Sequence, residues 1–182
     1  MSARRDRDPQ DAFEDLYRST CENLLRYLVR RCRDAEEAAD LLAETYMTAW
    51  GKLDAIPDGE AAQLWLFGVA RNLLLRSTRR RRVADALIQR LSEGTRAAQA
   101  MSPESDRSHA AVRRALSDLS EQDREILTLT AWEGLAPREI ARVMNTSANV
   151  VRIRLHRARA RIKKQLDLPT EALPRSAIRA SE

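Results

Sequence analysis

Apolar residues recur three and four positions apart through most of this chain, the period of a helix with one buried face. Across residues 11–33 they are Phe13, Leu16, Tyr17, Cys21, Leu24 and Leu28. Asp34 is placed to cap a second helix over residues 35–53. Its stripe is Leu42, Tyr46, Ala49, Trp50 and Leu53, with Asp40 and Glu44 one turn apart on a different side. Pro57, Asp58 and Gly59 mark a turn. A third helix follows from about Ala61 to Arg82, apolar through LWLFGVA with Trp65 in its core, then abruptly basic. Val83 to Ala100 is compatible with a helical start, but SEGTRAAQAMSPESDRS has Gly, Pro and Ser where packing residues should stand. Residues 83–107 therefore read as a flexible linker. Periodicity returns from Ser108 to Leu119 through Val112 and Leu116. Ser120 and Asp123 then resemble a capping box for a helix carrying Ile126, Leu129 and Trp132 and ended by Gly134.

The most informative pattern runs from Leu135 to Leu166. Pro137 suits a first helical position, where its missing N–H costs nothing. Ile140, Val143 and Met144 share a stripe, and Asn145 suits the left-handed conformation of a helix exit. Thr146 or Ser147 can cap the next helix, on which Val151, Leu155, Ala158 and Ile162 form a buried face. Arg152, His156, Arg159 and Lys163 make a neighbouring stripe, with Arg154, Arg157, Arg161 and Lys164 further round. Two helices joined by a tight turn, the second apolar on one side and basic elsewhere, have the form that enters a DNA major groove. A merely solvated face would mix signs. A membrane-surface helix would oppose its charge with a large aromatic or Leu-rich face, which is lacking here.

The resulting fold class is all-α, with two small helical domains, residues 10–82 and 108–167, and a frayed tail over 168–182. Composition narrows the picture further. The chain has 182 residues, 32% charged and 4% aromatic, with five Gly and six Pro. That balance suits a helical protein and argues against large β-sandwiches. No apolar run approaches the ~20 residues needed to span a bilayer, and MSARRDRDPQ lacks the apolar core of a secretory signal. Cys21 and Cys32 are about 16 Å apart along an apparent helix, too far for a mutual disulfide. They read as small buried apolar residues in a reducing, cytoplasmic compartment. The net charge of +5 conceals a division of sign: residues 11–60 carry twelve acids against six bases, whereas 71–82 carry six Arg and no acid. Residues 138–164 hold nine Lys/Arg against Glu139 alone. Such polarity implies two kinds of partner, one of them a polyanion. With His109 and His156 as the only histidines, neither a metal site nor a catalytic triad is indicated, and no cofactor is implied.

In order and spacing, these segments resemble bacterial sigma-70-type factors of the small, two-domain extracytoplasmic-function group. The resemblance covers roughly residues 11–166. DAEEAADLLAETYMTAW (34–50) stands in the place of the family's DxxDLxQExFxxAW pattern, with Ala43 where Gln is usual. WLFGVARNLLLRSTRRRR (65–82) is similar to its helix for the −10 element. Residues 119–162 look like its region 4, which reads the −35 element.

The resemblance implies a polymerase specificity subunit without catalysis of its own. Asp40, Glu44 and Met47 would dock core RNA polymerase at the clamp coiled coil of its largest subunit, with the flap as a further contact. Asn72 would read a flipped base of the −10 strand, with the loop 54–61 as the other wall of the pocket. Arg71, Arg76, Arg79 and Arg80 would grip phosphates. On the basic helix, Arg152, Ile153, Arg154, His156 and Arg157 would face the −35 element. Ile153 and Asn149 replace residues commonly small and polar or Gly, and Thr130 stands where a basic phosphate contact is frequent. An anti-sigma protein is a further partner the family implies, and membrane insertion is not. A free-standing helix-turn-helix regulator is the alternative, but it has no use for an apolar helix that turns into an Arg run beside Asn72.

Overall fold

A computed structural model describes the backbone of residues 8–91 and 114–166, with the side chains of all but 86–91. The chain divides into two compact units, Met1–Ala97 and Ala98–Glu182. The described residues contain helices and turns and no strand.

In the first unit α1 (Pro9–Val29), α2 (Ala35–Trp50) and α3 (Glu60–Leu91) pack against one another. Each start is set locally. Asp8 accepts from the Gln10 N–H ahead of Pro9, and Asp34 accepts from the Glu37 N–H at 2.8 Å. A short 3₁₀ turn, Leu53–Ala55, and Gly59 at φ +63° lead into α3. The core joins Leu16, Leu24, Tyr27 and Leu28 to Ala38, Leu41 and Ala49, and to Leu66, Phe67 and Ala70. The Tyr27 and Phe67 rings lie 5.0 Å apart. Burying a Phe or Leu side chain contributes about 1.5–3 kcal/mol, so these contacts dominate the unit. A long-range polar contact in this core, Thr20 Oγ1 to the Tyr46 hydroxyl at 2.9 Å, satisfies a phenol whose pKa burial pushes up to about 12.

Several expectations need correcting. The α2 stripe runs through Leu41 and Thr45, leaving Leu42 half-buried. Trp50 is 51% exposed: it ends the helix, with the Phe13 ring edge-on to it at 5.1 Å. Tyr17 is also exposed, and Cys21, Cys32 and Trp65 are half-buried rather than core. Helix α3 continues past Arg82 because VADALIQRL holds good helix formers and neither Gly nor Pro. The rest of the expected linker, 92–107, and the tail over 168–182 lie outside the described residues.

In the second unit residues 114–117 are helical, followed by α4 (Glu121–Ala131), α5 (Pro137–Val143) and α6 (Ala148–Leu166). Ser120 caps α4 by accepting from the Asp123 N–H, but the capping box is half made, since the Asp123 carboxylate goes elsewhere. Gly134 adopts φ +68°, and the chain folds back so that the Leu135 N–H reaches the Leu129 carbonyl at 3.2 Å. Leu135 is buried there, whereas Trp132 lies beyond the helix end and is 48% exposed, against expectation.

Candidate nucleic-acid interface

The turn between α5 and α6 is built from local chemistry. Pro137 opens α5, and the Glu139 carboxylate accepts from the Ala136 N–H at 2.7 Å. Asn145 takes φ +50°, and Ser147 rather than Thr146 caps α6 by accepting from the Val150 N–H. Val151, Leu155, Ala158 and Ile162 are all buried, as their spacing predicts. That stripe seats α6 against α4 and α5, with Ala158 and Ile162 in one cluster with Ala115 and Leu119, and turns its opposite face outward. Arg152, Ile153, His156 and Arg157 are exposed on that outer side, Ile153 at 44%.

Arg154 differs from these four. Its Nη1 donates to Asp123 Oδ1 at 3.0 Å, and the Asp123 side chain is only 13% exposed. Arg124, which periodicity did not single out, donates to the Leu116, Ser117 and Leu119 carbonyls at 2.9–3.2 Å. It therefore satisfies the open C-terminal end of the preceding helical turn.

In the first unit Asn72, Arg76, Arg79 and Arg80 are exposed along α3, and Asn72 engages no other described side chain. Arg71 is half-buried, with its Nε enclosed and unpartnered among the described residues. Arg81, in the same basic run, turns inward instead. Its Nη1 meets both Glu37 oxygens at 2.7 and 2.8 Å, where Ser77 Oγ also donates at 2.6 Å. The Ser77 hydrogen bond, the Arg33 N–H and the Arg81 cation hold the Glu37 carboxyl below its ordinary pKa against the opposing effect of burial. Nearby, burial, with the Glu37 charge second, raises the Cys32 thiol to about 11.

On α2, Asp40 and Glu44 are exposed and Met47 is 75% exposed, all on one side. Asp40 and Glu44 share a groove of about 310 Å³ with Arg76 and Arg80 of α3. The expected acidic and basic faces thus adjoin, although no ion pair joins these four residues. The loop 54–61 buries Ile56 and borders a separate hollow with Trp50 and Pro9, which Asn72 does not line. Among the described residues no cluster could hold a metal ion, and no helix is long and apolar enough to cross a membrane.

Two family models match the chain: Sigma-70 region 2 over residues 16–83 and Sigma-70, region 4 over residues 109–162. The RNA polymerase sigma-H factor of Pseudomonas aeruginosa is 32% identical over 171 residues, covering 88% of this chain and 89% of that one. The extracytoplasmic-function RNA polymerase sigma factor SigL of Mycobacterium tuberculosis is 31% identical over 152 residues, covering 79% and 82%. Among solved structures, the sigma factor RpoE of Bartonella quintana, in complex with the anti-sigma factor NepR, has a TM-score of 0.61 at 24% identity. That likeness covers 86% of this chain and 97% of that one. With both region models in sequence order and relatives this similar along most of its length, the chain belongs to the extracytoplasmic-function group of the sigma-70 family, the RNA polymerase subunits that bind the core enzyme and direct it to promoters.

Proposed function

We propose that the two units divide promoter recognition between them, α6 reading the −35 element as closed duplex and α3 opening the −10 element. The observation that carries this reading is the seating of α6. Its apolar stripe is wholly buried, so the opposite face, bearing Arg152, Ile153, His156 and Arg157, is free to enter a major groove. Arginine forks there match guanine O6 and N7. In the first unit, Asn72 carries a donor and an acceptor on one planar head, as capture of an unstacked base requires. Arg76, Arg79 and Arg80, with Arg71 beside them, supply phosphate contacts that hold strands without reading them. The exposed Asp40–Glu44–Met47 side of α2 docks the clamp coiled coil of core polymerase, while the flap engages the second unit.

The protein itself catalyses nothing, since its part is to position DNA and polymerase. It acts in the cytoplasm, and an anti-sigma protein masks its units until it is needed. The −35 reading is tested with Arg157→Ala in the polymerase holoenzyme on promoter fragments. Loss of one bidentate base contact should weaken −35-dependent binding by about 1–3 kcal/mol, roughly five- to 150-fold. Unchanged affinity at every salt concentration would count against it.

A further inference from the structure

The Asp123–Arg154 pair sorts the arginines of α6 into two kinds. Asp123 lies in the first turn of α4, gives its N–H to Ser120 Oγ at 3.1 Å, and turns its carboxylate across to Arg154 on α6. Arg154 follows the buried Val151 by three positions and precedes the buried Ala158 by four. It therefore stands on the flank of the core rather than on the outward face. On the same flank Gln165 Nε2 donates to Asp118 Oδ2 at 2.7 Å. Both ties come from the segment 118–123 and hold one side of α6, while Arg152, Ile153, His156 and Arg157 stay exposed on the other. With side-chain exposures of 13% and 37%, the pair is better shielded than an ordinary surface ion pair.

We propose that Asp123 is a specificity-determining positioning residue, which holds the Arg154 guanidinium against α4 and so withdraws one sequence-blind cation from the DNA side while fixing the rotation of α6. The inference rests on the reading of α6 as the −35 helix. A guanidinium released beside the duplex would find a phosphate, which adds affinity without sequence information. Each phosphate neutralised steepens the salt dependence of binding by about 0.9 in log–log slope. Held by Asp123, Arg154 adds nothing to that slope, and discrimination is left to four side chains whose register on the groove is set from behind.

The test uses the full chain in holoenzyme on promoter fragments with intact and scrambled −35 elements across a salt series. Asp123→Asn keeps shape and removes the charge. It should raise affinity for the scrambled fragment several-fold, steepen the salt slope by about one, and lower the intact-to-scrambled ratio. Arg154→Ala should lower the ratio but leave the slope at the parent value, and the double variant should return the slope to that value. Asp123→Glu should restore the ratio in part, which a loss of packing would not permit. Two results overturn the proposal: an Arg154→Ala slope shallower by about one, or an Asp123→Asn variant with both slope and ratio unchanged. If Asp123→Asn does not fold, the Arg154→Ala slope alone still decides where that cation acts. Failure of the underlying reading has a different signature, since Arg157→Ala would then leave the intact-to-scrambled ratio unchanged.

Discussion

Glu37 shows how one side chain can fix two helices whose apolar faces alone leave freedom to slide. Its carboxylate, 18% exposed, accepts from Ser77 Oγ at 2.6 Å and from Arg81 Nη1 on α3, and from the Arg33 N–H at 3.1 Å at the entry to α2. A carboxyl whose folded pKa lies below its unfolded value stabilises the fold fully above the unfolded pKa, and loses that contribution as pH falls through the folded value. Glu37→Gln should therefore cost about 1–2 kcal/mol at pH 7, the usual worth of a charged, partly buried hydrogen-bond set. The gap from the parent should close as pH falls below the ordinary carboxylate range. Denaturant unfolding at pH 7 and at acid pH measures both, and an equal gap at the two pH values would assign the loss to packing instead. The same carboxylate helps keep the Cys32 thiol protonated near neutrality, which makes Cys32 a poor nucleophile despite its half-exposed position.

At the scale of the element, turns and caps are decided within a few residues, and these were legible in the chain. Gly134 ends α4 in the left-handed region with open space where a Cβ would stand, so its requirement is conformational and not steric. Gly134→Ala should cost the second unit about 1–2 kcal/mol, the penalty of a left-handed residue with a Cβ. Gly51→Ala is the control. Gly51 caps α2 at φ −68° and its added Cβ would meet Met47 and Thr48 carbonyls at 3.7 and 3.9 Å, ordinary contacts, so the first unit should not be weakened. Chemical unfolding of both variants checks the contrast, and equal losses would refute it. Pro137, Asn145 and the stripe Val151–Leu155–Ala158–Ile162 belong to the same legible class. Trp50 and Trp132 did not, because hydrophobicity near a helix end does not tell whether a neighbour extends far enough to cover it. Neither did Tyr17, which stands midway along α1 on its apolar stripe and is still exposed. Nor did Glu37–Arg81 or Asp123–Arg154, since no periodicity marks partners 44 and 31 positions apart. The candidate face on α6 was thus visible, but not which of its arginines is already engaged.

For the molecule as a whole, the net charge of +5 is the residue of a segregation that matches a two-step task. Acids lie exposed along α2 and arginines along α3 and α6, and the proposed reading gives each set a partner of complementary chemistry. In the proposed reading, phosphate contacts from Arg76, Arg79 and Arg80 would favour closed and open DNA alike, so by themselves they could not drive separation of the strands. Separation costs a few kcal/mol for each base taken out of the stack, and only a group that binds the extruded base can offset it. Asn72, exposed and unengaged on the same helix, is the side chain suited to that role. Asn72→Ala in holoenzyme should slow strand opening about ten-fold, the worth of about 1.4 kcal/mol of base contact, while leaving polymerase binding at the parent level. Permanganate reactivity of unpaired thymines over the −10 region reports the first quantity, and co-purification with core enzyme the second. Reactivity identical to the parent would remove Asn72 from the opening step, and loss of polymerase binding would show that the substitution had instead disturbed the packing of α3 on α2.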